Sequence, residues 1–159
     1  MRRVRFLVIE ALYESETSDH DAEAAFNRRL EESLDEDPEV TAPGPSGFGR
    51  GTLRAVSRRK AELDEIIQEA ATQYPVDTLA VVDRNILRLA ICELLSDGSA
   101  PVGAVVNEAV ELAHRYGGAS SPAFVNGVLR TVSARIRSGA SDEKQSGSGD
   151  SQNPQQQET

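Results

Sequence analysis

Apolar residues recur along this chain at spacings of three and four, and no stretch shows the apolar–polar alternation expected of a strand. Spacings of three and four place side chains on one face of a helix. Aromatic residues make up only 4% of the chain and Trp is absent, so Val, Leu, Ile and Ala must form most of the core. The sequence therefore predicts an all-α fold. The clearest stripes are Val4, Leu7, Val8, Ala11 and Leu12; Leu63, Ile66, Ile67, Ala70 and Ala71; Val105, Val106, Ala109 and Leu112; and Val125, Val128, Leu129, Val132 and Ile136.

One segment has the pattern of a helix buried at the centre of the fold. From Asp77 to Leu95 the apolar residues cover two faces rather than one. Pro101 and Gly117 mark the two ends of the next helix, and Pro122 marks the start of the last. We therefore expect two small helical subdomains, with about seven helices, packed as one bundle around the central segment.

The chain divides by composition into four parts. Residues 1–34 are predicted to form a helical pair, and residues 52–137 the main helical bundle, in which one helix runs from about Thr52 to Pro75. Between them, residues 35–51 contain three prolines and four glycines, which predicts a flexible loop. Residues 138–159 contain no large apolar residue, so burial cannot offset the entropy of ordering them, and we expect a disordered tail.

Charge and cysteine content exclude several classes of protein. The net charge of -9 argues against a protein that coats nucleic acid through its overall charge, although a local basic patch is compatible with it. The single cysteine, Cys92, excludes an intramolecular disulfide and a metal site with several thiolates. No secretory or transmembrane segment is evident, so the cytoplasm is the expected location.

Three arginines near the start of the chain are the first candidate binding residues. Arg2, Arg3 and Arg5 lie in the opening turn of a predicted helix, where the helix dipole disfavours positive charge by about 0.3 to 1 kcal/mol per group. A bound phosphate would reverse this penalty. The alternative is an exposed, frayed terminus whose charges only interact with solvent.

Phe124 is the second candidate. It lies about 100° away from the centre of the apolar stripe of the last helix, in the first helical turn. An aromatic ring beside free helix N–H groups is suited to stacking on a base next to a bound phosphate. The alternative is that the ring packs against another helix.

Other polar residues carry weaker signals. Glu111 and His114 have the Glu-x-x-His spacing of di-iron carboxylate proteins, but such a site requires a second motif and two more acids. Asn107 and Glu108 interrupt an apolar helix; the alternatives are a hydrogen-bonded link to a neighbouring helix, which we favour, and simple exposure to solvent. Cys92 lies in an apolar stretch, where a thiol acts as a small hydrophobic group. No cofactor is predicted.

Several sequence blocks resemble the NusB family of transcription antitermination factors. The opening arginines, followed by Glu10 to Tyr13, resemble the arginine-rich first helix of that family. The central blocks and the last block follow in the family's order and spacing. They are Leu63 to Ile67, Val82 to Leu94, Pro101, Val106 to Ala113, and Phe124 to Leu129.

This resemblance implies an all-helical protein without catalytic activity. Its expected partners are NusE, which is also a small-subunit ribosomal protein, the boxA element of ribosomal RNA leader transcripts, and an antitermination complex with RNA polymerase. The family includes both monomers and homodimers. By resemblance, the RNA contacts are Arg2, Arg3, Arg5, Tyr13 and Phe124, and the NusE interface includes Asp83.

The sequence differs from the family at two positions near Phe124, and two other functions remain as alternatives. Ala123 stands where family members often have a basic residue, and Ser120 replaces an acidic one. One alternative is a structural adaptor of the same fold that binds protein only. The other is a metal carboxylate protein that uses Glu111 and His114.

Overall fold

The computed structural model describes residues 1–96 and 100–146, with residues from 140 onward as backbone only. All regular structure in these ranges is helical, which confirms the predicted all-α class. The α-helices are α1 (Arg2–Thr17), α2 (Ala22–Glu32), α3 (Pro43–Arg58), α4 (Lys60–Ala70), α5 (Val81–Leu95), α6 (Val102–Tyr116) and α7 (Ser121–Ser146). Two short 3-10 helices span Pro38–Thr41 and Val76–Thr78.

Helix α5 lies at the centre of the bundle, as its two apolar faces predict. Every residue from Asn85 to Cys92 is buried. This helix packs against α1, α3, α4, α6 and α7, so it contacts most of the other helices. Burial on all sides explains why its sequence lacks the single polar face of a surface helix.

Local sequence signals mark several helix ends. The Asp21 carboxylate accepts a hydrogen bond from the Ala24 N–H at the start of α2. Pro101 immediately precedes α6, and Gly117 immediately follows it, as predicted. The Ser121 hydroxyl accepts a hydrogen bond from the Gly118 N–H at 3.0 Å, which closes the turn into α7.

The predicted flexible loop over residues 35–51 is wrong. This segment contains the first 3-10 helix and the first half of α3, and the predicted boundary at residue 52 lies inside α3. Prolines are compatible with the first turn of a helix, where their missing N–H needs no partner, and α3 begins at Pro43. Gly49 is buried against Phe26 and Val4, so tertiary packing stabilises a helix that its composition disfavours.

Two further boundaries differ from the predictions. The expected helix from about Thr52 to Pro75 is interrupted at Arg59, and α4 ends at Ala70. Helix α7 continues to Ser146, so residues 138–146 of the expected disordered tail are helical. No proline lies between Pro122 and Pro154 to stop the helix earlier. Residues 147–159 of that tail lie outside the described residues. None of the described helices is long and apolar enough to cross a membrane.

Candidate nucleic-acid interface

Two of the three N-terminal arginines are held by carboxylates of other helices. Arg5 Nη2 donates to Glu93 Oε1 at 2.6 Å, and its guanidinium lies 5.1 Å from the centre of the Phe48 ring. Only 11% of the Arg5 side chain is exposed. Arg2 Nη2 donates to Glu108 Oε1 at 2.9 Å, but 58% of its side chain stays exposed. Arg5 therefore serves mainly to fix α1 against α5 and α3, whereas Arg2 still faces solvent.

Arg3 differs from its two neighbours because its charge is not compensated. Its half-buried side chain has no hydrogen bond or ion pair with any described residue. It shares a stripe of α1 with Phe6, Glu10 and Tyr13, which follow at spacings of three and four. Tyr13 is 45% exposed, which is high for a large aromatic side chain. One face of α1 thus presents a cation and a phenol ring to solvent.

A second free cation lies beside this stripe and was not found from the sequence. The Arg115 guanidinium, near the end of α6, lies 4.5 Å from the centre of the Phe6 ring and 5.4 Å from that of Tyr116. The Phe6 and Tyr116 rings meet edge to face at 5.9 Å. No described carboxylate lies within ion-pair distance of Arg115, whose side chain is exposed. Its sequence signal is weak because the stacking joins residues about 110 positions apart.

The polar groups under this stripe are closely bonded to one another. Tyr116 Oη donates to Glu10 Oε1 at 2.6 Å, and burial together with this carboxylate raises the pKa of Tyr116. Glu14 accepts hydrogen bonds from Arg28 and Arg29 and contacts the His20 ring, interactions that lower its pKa to about 2. The cations of α2 are thus neutralised, and the unpaired charge of this face belongs to α1 and α6.

Phe124 lies apart from the arginines. It is in the first turn of α7, half-buried, and packs against the core. It also lines an open cleft of about 340 Å³ between the end of α4 and the start of α7. No hydrogen bond, ion pair or ring contact among the described residues joins it to Arg2, Arg3 or Arg5. The ring therefore packs partly against the core, as one interpretation predicts, and keeps an exposed side that could stack on a base, as the other predicts.

Asp83 occupies the first turn of α5, where the helix dipole favours a carboxylate. Its Oδ1 atom is buried and accepts no hydrogen bond from any described residue. Leaving such an acceptor unsatisfied is unfavourable, so a donor from outside the chain would stabilise it. The neighbouring charges are already paired, because Arg84 and Arg88 both bond to Glu16.

The remaining sequence candidates have simpler surroundings. Glu108 links α6 to α1 through Arg2, as expected, but Asn107 is exposed. Glu111 and His114 are both exposed, and the described residues contain no group of three or more His, Cys, Asp or Glu that could hold a metal. Cys92 is buried, and this burial raises the pKa of its thiol. A buried thiol with a raised pKa is a poor nucleophile.

Comparison with known proteins identifies relatives across most of the chain. The sequence pattern of the NusB family matches residues 2–134. The chain is 41% identical over 135 residues to the transcription antitermination protein NusB of Dehalococcoides mccartyi strain CBDB1. That alignment covers 85% of this chain and 90% of that protein. It is 42% identical over 137 residues to NusB of Roseiflexus castenholzii, with 85% and 92% covered.

Solved structures show the same similarity. T. maritima NusB superposes with a TM-score of 0.72 at 32% identity, covering 84% of this chain and 89% of that one. A chain in a crystal structure of the antitermination factors NusB and NusE in complex with dsRNA superposes with a TM-score of 0.72 at 25% identity. That match covers 84% of this chain and 96% of the other.

Proposed function

Because this chain belongs to the NusB family of transcription antitermination proteins, we propose that it binds RNA together with NusE, at the boxA element of ribosomal RNA leader transcripts. The similarity to a NusB chain solved with NusE and dsRNA supports both partners. The observation that carries the RNA contact is the pair of unpaired cations, Arg3 on the face of α1 that also bears the exposed ring of Tyr13, and Arg115 over the Phe6 ring of that face. The NusE-bound protein then acts within an antitermination complex with RNA polymerase.

The proposed RNA contacts divide into phosphate contacts and base contacts. Arg2, Arg3 and Arg115 bind phosphates, because their charges reach solvent near the start of α1 and the end of α6. Tyr13 and Phe124 provide stacking surfaces for bases. Arg5 acts indirectly: its ion pair with Glu93 holds the start of α1 in place, so that Arg2 and Arg3 are positioned for RNA. With a net charge of -9, the chain is expected to repel RNA elsewhere, which restricts binding to this face.

The first prediction concerns Arg3. Replacing Arg3 by Ala is expected to weaken RNA binding and to make the slope of log affinity against log salt shallower by about 1, because one phosphate contact is lost. The measurement is the affinity of the NusE complex for a boxA-type single-stranded RNA at several salt concentrations. Arg54→Ala is the control, since Arg54 is exposed but already paired with Glu23, in an ion pair between α3 and α2. An unchanged slope in Arg3→Ala would contradict the phosphate contact.

We propose further that Asp83 lies at the NusE interface, where its unpartnered Oδ1 accepts a hydrogen bond from NusE. The second prediction is that Asp83→Lys weakens NusE binding about 10- to 150-fold, as expected when a hydrogen bond to a charged group is lost. Helix content, measured by circular dichroism, should remain near that of the unsubstituted protein. Asp83→Asn, which keeps the shape of the side chain and one acceptor oxygen, should lose less NusE affinity than Asp83→Lys. Full NusE affinity in a folded Asp83→Lys variant would refute this interface.

A structural adaptor that binds NusE without touching RNA is the second candidate function. It is favoured by the ion pairs of Arg2 and Arg5, which leave only Arg3 of the three arginines uncompensated. An adaptor should leave the RNA affinity of NusE independent of substitutions on this chain. RNA binding measured with NusE alone and with the complex distinguishes the two functions.

A further inference from the structure

The cleft between the end of α4 and the start of α7 has two aromatic residues in its lining, Tyr74 and Phe124. Resting on the proposed RNA-binding function, we propose that this cleft receives one unstacked base of a single-stranded RNA. Tyr74, from the turn after α4, is then a second base-contacting residue beside Phe124 of α7. The cleft has a volume of about 340 Å³ and is open to solvent.

Exposure of both rings is the first observation behind this proposal. The Tyr74 side chain is 55% exposed, and Phe124 is only half-buried although it contacts the core. The two rings make no contact with each other among the ring pairs of the described residues. Both rings therefore remain available to a planar apolar group that enters the cleft. Stacking on aromatic side chains is how many proteins hold unpaired bases.

The turn that carries Tyr74 is held rigidly in place. Gln68 Nε2 donates to the Tyr74 carbonyl at 3.0 Å and to the Ala71 carbonyl at 3.3 Å. Gln68 Oε1 accepts a hydrogen bond from the Val76 N–H at 2.9 Å. One side chain thus bonds to three points of the turn, and Pro75 restricts it further. Because the backbone at Tyr74 is already fixed, only the side chain has to be ordered when a ligand binds.

Gly127 provides an independent observation at the same cleft. A glycine inside a helix costs about 1 kcal/mol relative to alanine, and close packing is the usual compensation. A Cβ atom at Gly127 would meet nothing within 4 Å, so no neighbouring group accounts for it. Gly127 also lines the cleft. The missing side chain keeps the cleft open, which is the arrangement expected where a ligand approaches the backbone.

The lining of the cleft matches a base better than a charged peptide. It contains no charged side chain, and its polar groups include the exposed Thr72 and Gln73. These groups can bond to the polar edge of a base whose faces contact the two rings. The occupant that fits this lining is a neutral, planar group with a polar edge.

The test uses the complex with NusE and a boxA-type single-stranded RNA carrying a fluorescent adenine analogue at successive positions. At one position, the unsubstituted complex should quench the fluorescence by stacking. Tyr74→Ala should lose this quenching and bind RNA about 5- to 100-fold more weakly. Tyr74→Phe should retain both. Leu34→Ala, which removes another exposed apolar side chain far along the sequence, is the matched control and should change neither.

Gly127→Leu provides a variant in which stability and binding should change in opposite directions. Leucine favours the helix but extends into the cleft, so the denaturation midpoint should stay the same or rise while RNA affinity falls about tenfold. Gly51→Leu, at a helical glycine of α3 that also has no neighbour within 4 Å, should leave RNA affinity unchanged. A fall in NusE affinity without an effect on RNA would instead assign the cleft to a protein partner and overturn the proposal.

The outcomes also separate this inference from the function on which it rests. If Tyr74→Ala and Gly127→Leu bind RNA normally while Arg3→Ala gives the shallower salt slope, the base site is wrong but the RNA-binding function stands. If the unsubstituted chain adds nothing to RNA binding by NusE, the proposed function fails and the base site fails with it. Because Tyr74 is exposed, its variants should remain folded even if Phe124→Ala unfolds.

Discussion

Replacing Arg88 by alanine is expected to lower the free energy of unfolding by about 3 to 5 kcal/mol, because the substitution breaks a buried ion-pair network. Only 4% of the Arg88 side chain is exposed. Its guanidinium donates to both carboxylate oxygens of Asp64, at 2.6 and 2.8 Å, and also to Glu16. It donates as well to Asn85 Oδ1 at 3.1 Å. Without it, the two carboxylates lose a cation that joins α1, α4 and α5.

This prediction has a pH dependence that a packing defect would not show. Burial opposes ionisation of Glu16, but hydrogen bonding from Arg84 and the charge of Arg88 outweigh it and hold the pKa of Glu16 below its ordinary value of 4.5. A lowered pKa stabilises the fold above about pH 4.5, and this contribution is lost as the pH falls further. The difference in free energy of unfolding between Arg88→Ala and the unsubstituted protein should therefore become smaller below that pH.

Chemical denaturation at several pH values measures both effects. Arg54→Ala is a suitable control because the Arg54–Glu23 pair is exposed, and such pairs contribute about 1 kcal/mol or less. If Arg88→Ala lowered the free energy of unfolding by no more than Arg54→Ala does, the buried network would stabilise the fold no more than a surface ion pair.

Alanine at Gly49 should destabilise the protein by about 2 to 3 kcal/mol, although alanine is the better helix former. The added Cβ would lie 2.7 Å from Val4 Cγ2 and closer still to Cζ of Phe26. Both neighbours are fully buried and have no room to move. The clash therefore outweighs the gain in helix propensity.

Gly51 in the same helix is the matched control, because its Cβ would meet nothing within 4 Å. Gly51→Ala should stabilise the protein by about 0.5 to 1 kcal/mol. Urea denaturation of both variants should give shifts of opposite sign. Two stabilising shifts would show that α3 does not pack tightly against α1 and α2.

The outcome at α3 shows where local sequence reasoning stops. Composition correctly identified the glycines and prolines of residues 35–51 as unfavourable for a free helix. It did not reveal that Gly49 allows α3 to pack closely against Phe26 and Val4. The energy that stabilises this helix comes from residues more than 20 positions away, and no window of neighbouring residues contains it.

The sequence alone determined the features that depend on neighbouring residues or on whole motifs. The spacing of apolar residues predicted the helical class and the central position of α5, because burial of a helix face requires that periodicity. Proline and glycine marked the two ends of α6, because the restricted backbone of proline and the free backbone of glycine affect only the residues next to them. The ordered blocks from Arg2 to Leu129 indicated the family.

The tertiary structure decided which of these residues remain available for binding. Arg2, Arg3 and Arg5 are equivalent in the sequence, but Glu108 and Glu93, which are 106 and 88 positions from their partners, bind Arg2 and Arg5. Arg3 has no such partner among the described residues. The cleft beside Phe124 likewise exists only because α4 and α7 pack together. Charge compensation and open space depend on groups that folding brings together from distant positions, so they are properties of the assembled fold.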